Sequence, residues 1–414
     1  MPESDSAKPI QTVAEAGSYI ASVCFKHGPP RRLGIELEWL LFDPADPLRR
    51  PDVDVLAAAL GEHAPPTIRP DSPATALPGG GLVTVEPGGQ VEISSAPATS
   101  VRGLISAMTQ DAAALAALLK PTGFELSDLA SDPYRHPDRV LHTPRYDAMA
   151  AAFDRIGPAG RLMMCSTAAT QICLDLGTAA TARSRWQAAH DLGPVLLAAF
   201  ANSPRIAGES APAISSGMAS WWQLDPDRTR APGSGELEDY VERALDTQVL
   251  ARQQPEASWL VERPLSLRDW IESGEPLTTA DLDLHLSMLF PPVRPQGYLE
   301  LRYLDAQPAG EWIAPLALIA ALFADPQVLG QAVRCCAAGA GRWQQATESG
   351  LADEVLRDCA AELLELANRC LPALRLAPAT QIEVERLLQR RLGAAIAPAM
   401  DQPAALQLIR EGSR

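Results

Sequence analysis

Four short runs of this chain alternate with a period of two, the repeat of a β-strand and of no helix. In Gly34-Ile35-Glu36-Leu37-Glu38-Trp39 the apolar side chains fall on one face and both glutamates on the other. Val83 and Val85 oppose Thr84 and Glu86, and Val91 and Ile93 oppose Gln90, Glu92 and Ser94. In Tyr298-Leu299-Glu300-Leu301-Arg302, Glu300 and Arg302 share a face. The chain is thereby constrained to a sheet with one apolar side and one side that collects acid, amide and arginine. A plain amphipathic sheet with a wet face shows the same alternation. Such faces normally mix in Thr, Lys and Arg, whereas these outward groups are acids with almost no cation beside them before Arg302. Like charges two residues apart on one strand repel, so the pattern is costly unless a cation lies between them.

The shortage of cations is sharpest for lysine. Among 414 residues with 35 basic and 51 acidic groups, only Lys8, Lys26 and Lys120 are lysines. None follows a glycine, which excludes a phosphate-cradling P-loop, and few candidates remain for Schiff-base chemistry. The net charge of −16, with no basic run longer than Arg31-Arg32, Arg49-Arg50 and Arg390-Arg391, argues against a nucleic-acid partner. The start MPESDSAKPI lacks the layout of a secretory signal, and the apolar stretch 312–324 falls short of the ~20 residues that span a bilayer. A cytoplasmic protein with no membrane partner is expected. Seven cysteines without a CxxC pair read as reduced thiols.

Residues 9–27 have helical spacing, 33–42 reads as a strand, and 53–61 as a short helix. LVTVE and QVEIS flank Pro87-Gly88-Gly89, the turn chemistry of a hairpin. Helices are expected at 101–119, 145–156 and 184–201, strands at 162–176 and 298–305, and a loop-rich segment at 203–236. Leucine- and alanine-rich helical periods fill 313–346, 351–371 and 380–397. Strands interspersed with long helices, without a β-α-β rhythm, indicate α+β, one sheet with helices packed outside. Gly79-Gly80-Gly81 precedes a strand and reads as a mobile loop, not a dinucleotide fingerprint. With no repeat and no long linker, 1–414 reads as one catalytic domain: an N-terminal helix in 1–30, a sheet-bearing core in 31–310 and a helical layer in 311–414.

A glutamate-lined face with one arginine suits a nucleoside triphosphate handled through hard divalent cations, which take oxygen ligands and are shared with substrate phosphates. Arginine would bind the transferring group through its planar fork. The six histidines show no HExxH or zinc-like pairing, and no G-x-S-x-G elbow occurs.

At this point the sequence resembles a known family. GIELEW (34–39), EPGGQVEIS (86–94), PRYDAMAAAFDRIGPAGRLMMCSTAATQICLDL (144–176), FANSPRIAG (200–208) and HLSMLFPPVRPQGYLELRYLDAQP (285–308) resemble, in order, the plant-type and bacterial glutamate–cysteine ligases. The likeness spans roughly residues 31 to 310, and the members most similar in style serve ergothioneine synthesis. It implies the glutamine-synthetase-like fold, a curved antiparallel sheet holding metals and ATP on its concave face. By resemblance Glu38, Glu86 and Glu92 would share one Mg²⁺, while Glu36 and Glu300, with Gln171 as a further donor, would hold another, two or three ions in all. Arg302 would stabilise the γ-phosphoryl group and Gln90 would line the same pocket. The catalytic set expected is Arg302, Glu300 and Glu92.

The implied reaction phosphorylates the γ-carboxylate of glutamate with ATP; the amine of cysteine then attacks the acyl phosphate, giving γ-glutamylcysteine, ADP and phosphate. A carboxylate must collect the amine's proton, and the sequence does not single one out. Arg228, Arg294 and Arg161 are the cations nearest the motifs for substrate carboxylates, and Trp221 and Tyr298 are candidate pocket walls with an equal case as core aromatics. The family usually carries arginine just before the residue matching Trp221, whereas Gly217-Met218-Ala219-Ser220 holds no cation. Arginine placed at Gly217 or Ala219 is expected to tighten the apparent substrate constant. That departure keeps open a ligase acting on another amine; a guanidino or carboxylate phosphotransferase of the same superfamily is the rival class. Oligomeric state is not encoded in any pattern read here.

Overall fold

The structure, a computed structural model, describes residues 7–207, 209–210, 213–231, 237–254 and 257–394. Among them six strands form one antiparallel sheet: β1 (Leu33–Trp39), β2 (Leu82–Val85), β3 (Val91–Ser94), β4 (Ala169–Asp175), β5 (Val293–Pro295) and β6 (Tyr298–Asp305). Their spatial order is β2-β3-β1-β4-β6-β5. The mixed class of helices and antiparallel sheet read from the sequence is the one observed.

One face of this sheet is apolar and covered. Ile35, Leu37, Val91, Ile93, Ile172, Leu299 and Leu301 are buried, against helices that include Val101–Leu119 and Gly193–Phe200. Removing each such side chain from water stabilises by about 1.5–3 kcal/mol. A one-residue slip would turn the whole set into the opposite face, so this packing fixes the register. Ser100 caps the first helix by accepting from the Gly103 N–H. Every residue of Gly193–Phe200 is buried, as expected for a helix that is apolar all round. Further helices, Ile313–Phe323, Pro326–Cys335, Trp343–Ser349, Glu354–Cys370 and Pro378–Ala394, form an outer layer. No single helix among the described residues is long and apolar enough to cross a membrane. All seven cysteines are unpaired.

Several boundaries differ from the sequence reading, each for a local reason. The expected strand 33–42 divides at Leu40, and Leu41–Phe42 pairs with Glu125–Leu126 in a separate two-stranded sheet. In 162–176 only Ala169–Asp175 is strand; the front of the run completes the helix Ala159–Cys165. The helix expected over 184–201 is two helices, Ala182–Asp191 and Gly193–Phe200, broken where Pro194 lacks a backbone N–H. The Gly79-Gly80-Gly81 run is clamped, not mobile. Asp111 of the 101–119 helix accepts from Gly79 N at 2.5 Å and Gly81 N at 2.8 Å, and a Cβ at Gly79 would lie 2.3 Å from the Ala107 carbonyl oxygen. The expected positions 1–6, 395–414 and Gly208 lie outside the described residues.

Candidate active site

The polar face carries the expected carboxylates because the strand alternation survives pairing. Glu38 stands directly across from Glu92, Glu36 across from Ser94 on one side and Gln171 on the other, and Glu300 across from Arg294. The tight turn 86–90 adds Glu86 and Gln90: Glu86 N donates to Gln90 O at 2.8 Å and Gly89 N to Glu86 O at 2.9 Å. Gly89 has φ +88°, and a Cβ at Gly88 would meet the Cys165 carbonyl oxygen at 2.3 Å, so this turn needs both glycines.

A cavity of about 330 Å³ opens over this face, lined by Glu36, Glu38, Glu86, Gln90, Glu92, Gln171, Arg294 and Arg302. A hydrogen-bonded chain crosses three strands beneath it. Glu38 accepts from Ala169 N at 2.9 Å and from Gln171 Nε2 at 2.8 Å. Arg302 donates to Gln171 Oε1 at 2.7 Å and to Glu300 Oε1 at 2.9 Å. Arg294 grips Glu300 through both oxygens, at 2.6 and 2.9 Å. Glu92 accepts from Thr84 at 2.7 Å and Ser94 at 3.1 Å. Gln90 donates to the Thr167 carbonyl at 2.9 Å.

The electrostatics divide these acids into two kinds. Glu36, Glu38 and Glu86 are half-buried, walled in by protein and open only towards the cavity. Burial first, then repulsion from Glu300 and Glu92, pushes the Glu36 carboxyl up to about 8. Burial followed by Glu92 and Glu86 raises Glu38 well above the usual carboxylate range, and burial followed by Glu92 raises Glu86 to about 7. Glu300 is the other kind: burial would raise it, but Arg294 and then Arg302 hold it below the ordinary value. Among the described residues none of these three acids forms an ion pair, and the nearby guanidiniums of Arg302, Arg294 and Arg145 offset the burial and repulsion only in part. Among the described residues no three acidic, His or Cys groups converge as a closed metal cage. The expected trio Glu38, Glu86 and Glu92 shares a cavity without meeting at one point, because the Glu38 and Glu92 oxygens are aimed by the donors just named.

The expected substrate residues separate. Trp221 lines the cavity, with the Arg302 guanidinium 5.4 Å from its ring centroid. Arg294 lines it too, bound to Glu300. Arg228 is fully buried elsewhere, donating to the Met288 carbonyl at 2.8 Å and to the Gln248 carbonyl. Arg161 lies at the surface, paired with Asp154 at 2.6 Å. Tyr298 lines a second cavity, of about 380 Å³, at the other end of the same strands. That cavity shares Glu36 with the first and also includes Lys26, Arg32, Leu33, Pro97 and Cys173. One of the three lysines does reach this face.

Arg145, Tyr146 and Asp305 line the cavity and were not anticipated. Arg145 and Tyr146 lie within a quoted motif, but nothing in its spacing marks them as cavity residues. Arg145 donates to the Ser287 carbonyl at 3.0 Å, its Nε is buried without a partner, and it has no carboxylate partner among the described residues. Asp305 was hidden by strand parity, which places it with Leu299 and Leu301. Pairing shifts register between Leu301 and Leu304: Leu301 faces Ile172, but Asp305 faces Ala169. This β-bulge carries one extra residue, and the far end of β6 changes sides. Met149, Met163, Met164, Met218 and Phe290 complete an apolar flank near Trp221.

Comparison with known proteins gives a consistent picture. A family model described as glutamate-cysteine ligase family 2 matches residues 32–392. The glutamate–cysteine ligase EgtA of Mycobacterium tuberculosis is 37% identical, over 96% of this chain and 92% of that protein. The glutamate–cysteine ligase EgtA of Mycolicibacterium smegmatis is 34% identical over 90% and 88%. In fold, the chain is similar to the crystal structure of a Francisella tularensis glutamate–cysteine ligase in complex with AMP. That likeness has a TM-score of 0.56 at 11% identity and covers 94% of this chain and 88% of that one.

Proposed function

The chain belongs to glutamate–cysteine ligase family 2, and from that premise we propose that it joins the γ-carboxylate of glutamate to the amine of cysteine at the expense of ATP. The products are γ-glutamylcysteine, ADP and phosphate, as a supply for ergothioneine synthesis. The observation that carries this reading is the connected face Glu38–Gln171–Arg302–Glu300 with Glu36, Glu86 and Glu92 around it in one cavity. Those are the oxygen donors and the guanidinium that transfer of a phosphoryl group requires.

The donor set fits Mg²⁺. Every donor is an oxygen, and Glu36, Glu38 and Glu86 carry charges that burial and mutual repulsion disfavour. An open, spread set is what an ion shared with phosphate oxygens takes. Glu38, Glu86 and Glu92 would hold one ion and Glu36 another; Glu300, already neutralised by two guanidiniums, is the weakest donor. When bound, the ions neutralise charge between these carboxylates and the phosphate oxygens.

The protein's own groups then have distinct tasks. Arg302 lines the cavity and is anchored through Nη1 by Gln171 and Glu300, which leaves the rest of its fork for the transferring phosphoryl oxygens. Arg145 supplies the cation for a substrate α-carboxylate that Arg228 and Arg161 do not bring to this cavity. Trp221 and the methionines form the apolar wall beside it. The second cavity, with apolar walls and Lys26 and Arg32 at its rim, suits the nucleotide.

The test is ADP release with Mg²⁺ and glutamate, with cysteine supplied, omitted or replaced by other amino acids. Cysteine-dependent turnover is expected. Equal turnover with every amine would remove the cysteine assignment, and full turnover without any amine would indicate a phosphotransferase.

A further inference from the structure

On the ligase reading above, we propose that Asp305 is the base that takes the proton from the attacking amine. Five carboxylates line the first cavity, and four of them, Glu36, Glu38, Glu86 and Glu92, belong to the mutually repelling glutamate group. Asp305 is the fifth and stands apart. Ala169 of β4 lies between it and Glu38, since Leu37 faces Thr170 on one side and Asp305 faces Ala169 on the other. Two strand spacings, roughly 10 Å, therefore separate the base from the glutamate group, room for an acyl phosphate and an amine between them.

The carboxylate is held as a functional group would be. It accepts from Asn202 N at 2.7 Å, Ser203 Oγ at 2.8 Å and Ser215 Oγ at 2.9 Å. It makes no ion pair among the described residues, so an ammonium group is the counter-charge that the site lacks. Residue 217, which also lines the cavity, is glycine, and a Cβ there would lie 3.1 Å from Asp305 Oδ1. Asp305 and Gly217 both line the cavity, and any side chain at 217 would crowd that oxygen. Burial pushes the Asp305 carboxyl up to about 6 against the three hydrogen bonds, a basicity suited to accepting and returning a proton near neutral pH.

The step balances. The ammonium of the acceptor gives one proton to Asp305. The freed nitrogen lone pair attacks the acyl carbon, and the carbon–oxygen bond to phosphate breaks with its electron pair going to phosphate. The second amine proton leaves with that phosphate.

Hydroxylamine, which is neutral at pH 7 and needs no base, separates the two half-reactions. In Asp305→Asn, cysteine-dependent turnover is expected to fall on the order of 100-fold, while γ-glutamyl hydroxamate formed from glutamate, ATP and hydroxylamine falls by less than about 3-fold. Asp305→Glu is expected to recover part of the cysteine reaction. Gly217→Ala, which covers the carboxylate without altering it, gives the same split should the asparagine variant not fold. Equal loss with both acceptors, or normal cysteine turnover, overturns the assignment and leaves Asp305 a tie between the 202–217 segment and β6. Wild-type protein that forms no hydroxamate from glutamate overturns the ligase reading itself and the base with it.

Discussion

Glu38 on β1 and Glu92 on β3 face one another across an antiparallel pair, two carboxylates in direct cross-strand register, and among the described residues no lysine or arginine is bonded to either. Opposed like charges destabilise a sheet pair, here at a site walled in by protein. Glu38→Gln keeps a hydrogen-bonding side chain of the same size and removes the repulsion. We expect the metal-free variant to be more stable by about 1 kcal/mol in urea unfolding, with turnover lowered 100-fold or more, on the order of a lost transition-state contact. A variant that is both active and no more stable would remove the charge-repelling metal face.

Glu300→Gln is expected to behave in the opposite way in stability. Glu300 is 1% exposed and bonded to both Arg294 and Arg302. Neutralising it leaves two enclosed guanidiniums short of a counter-charge, a change that costs about 3–5 kcal/mol. Unfolding curves for Glu38→Gln and Glu300→Gln should lie on either side of wild type, although both variants lose turnover.

Mg²⁺ with a non-hydrolysable ATP analogue should raise the melting temperature, since anything bound only by the folded state stabilises it, by about 2.7 kcal/mol at a hundredfold excess over Kd. Chelation should reverse the shift. In Glu86→Gln the shift should shrink; an undiminished shift would take Glu86 out of the donor set.

Arginine at Gly217 now has a different expected outcome from the one its sequence context implies. A side chain at this position starts 3.1 Å from Asp305 Oδ1, so the new guanidinium would pair with Asp305. Gly217→Arg should lower kcat with cysteine and leave KM no better; a tightened KM with kcat intact would restore the sequence-based expectation.

Stability should fall in acid for an identifiable reason. His190 and His285 are buried, and burial pushes both down to about 4 from an ordinary 6.5. Each binds its proton more readily in the unfolded chain, so the folded state is favoured fully above pH 6.5 and loses stability between pH 6.5 and 4, by about 3 kcal/mol per histidine. His285→Gln, which can still donate to the Ala244 carbonyl, should flatten that slope in urea unfolding at pH 7 and 4.5. An unchanged slope would assign the acid sensitivity elsewhere.

Alternation made the glutamate face legible, because burial of Ile35, Leu37, Val91 and Ile93 enforces the same parity that the sequence displays. The sequence motifs also located Gln90, Gln171 and Arg302. Arg228 could not be placed from spacing, since its carbonyl partner on Met288 is distant in sequence, and Arg161 is taken up by its near neighbour Asp154, a pairing that strand or helix period does not signal. The Asp111 clamp on Gly79 and Gly81 is another contact distant in sequence, 32 and 30 residues away along the chain. Asp305 was lost for a sharper reason: one extra residue in β6 inverts the rule by which its neighbours were read.

That bulge makes β6 resemble a text with a frameshift. Its first half is read in one phase, presenting Glu300 and Arg302; its last residue is read in the other, presenting Asp305. On the proposed mechanism, one strand would carry groups for both the phosphorylation and the amide-forming stage, at a spacing fixed by the backbone. Size-conserving substitutions at 303 and 304 keep the residue count and with it the phase. Inserting one residue after Arg302 would shift the phase again and turn Asp305 to the apolar side, uncoupling the proposed second stage while Glu300 and Arg302 kept their places; deleting one would only remove the bulge and leave Asp305 on the cavity face.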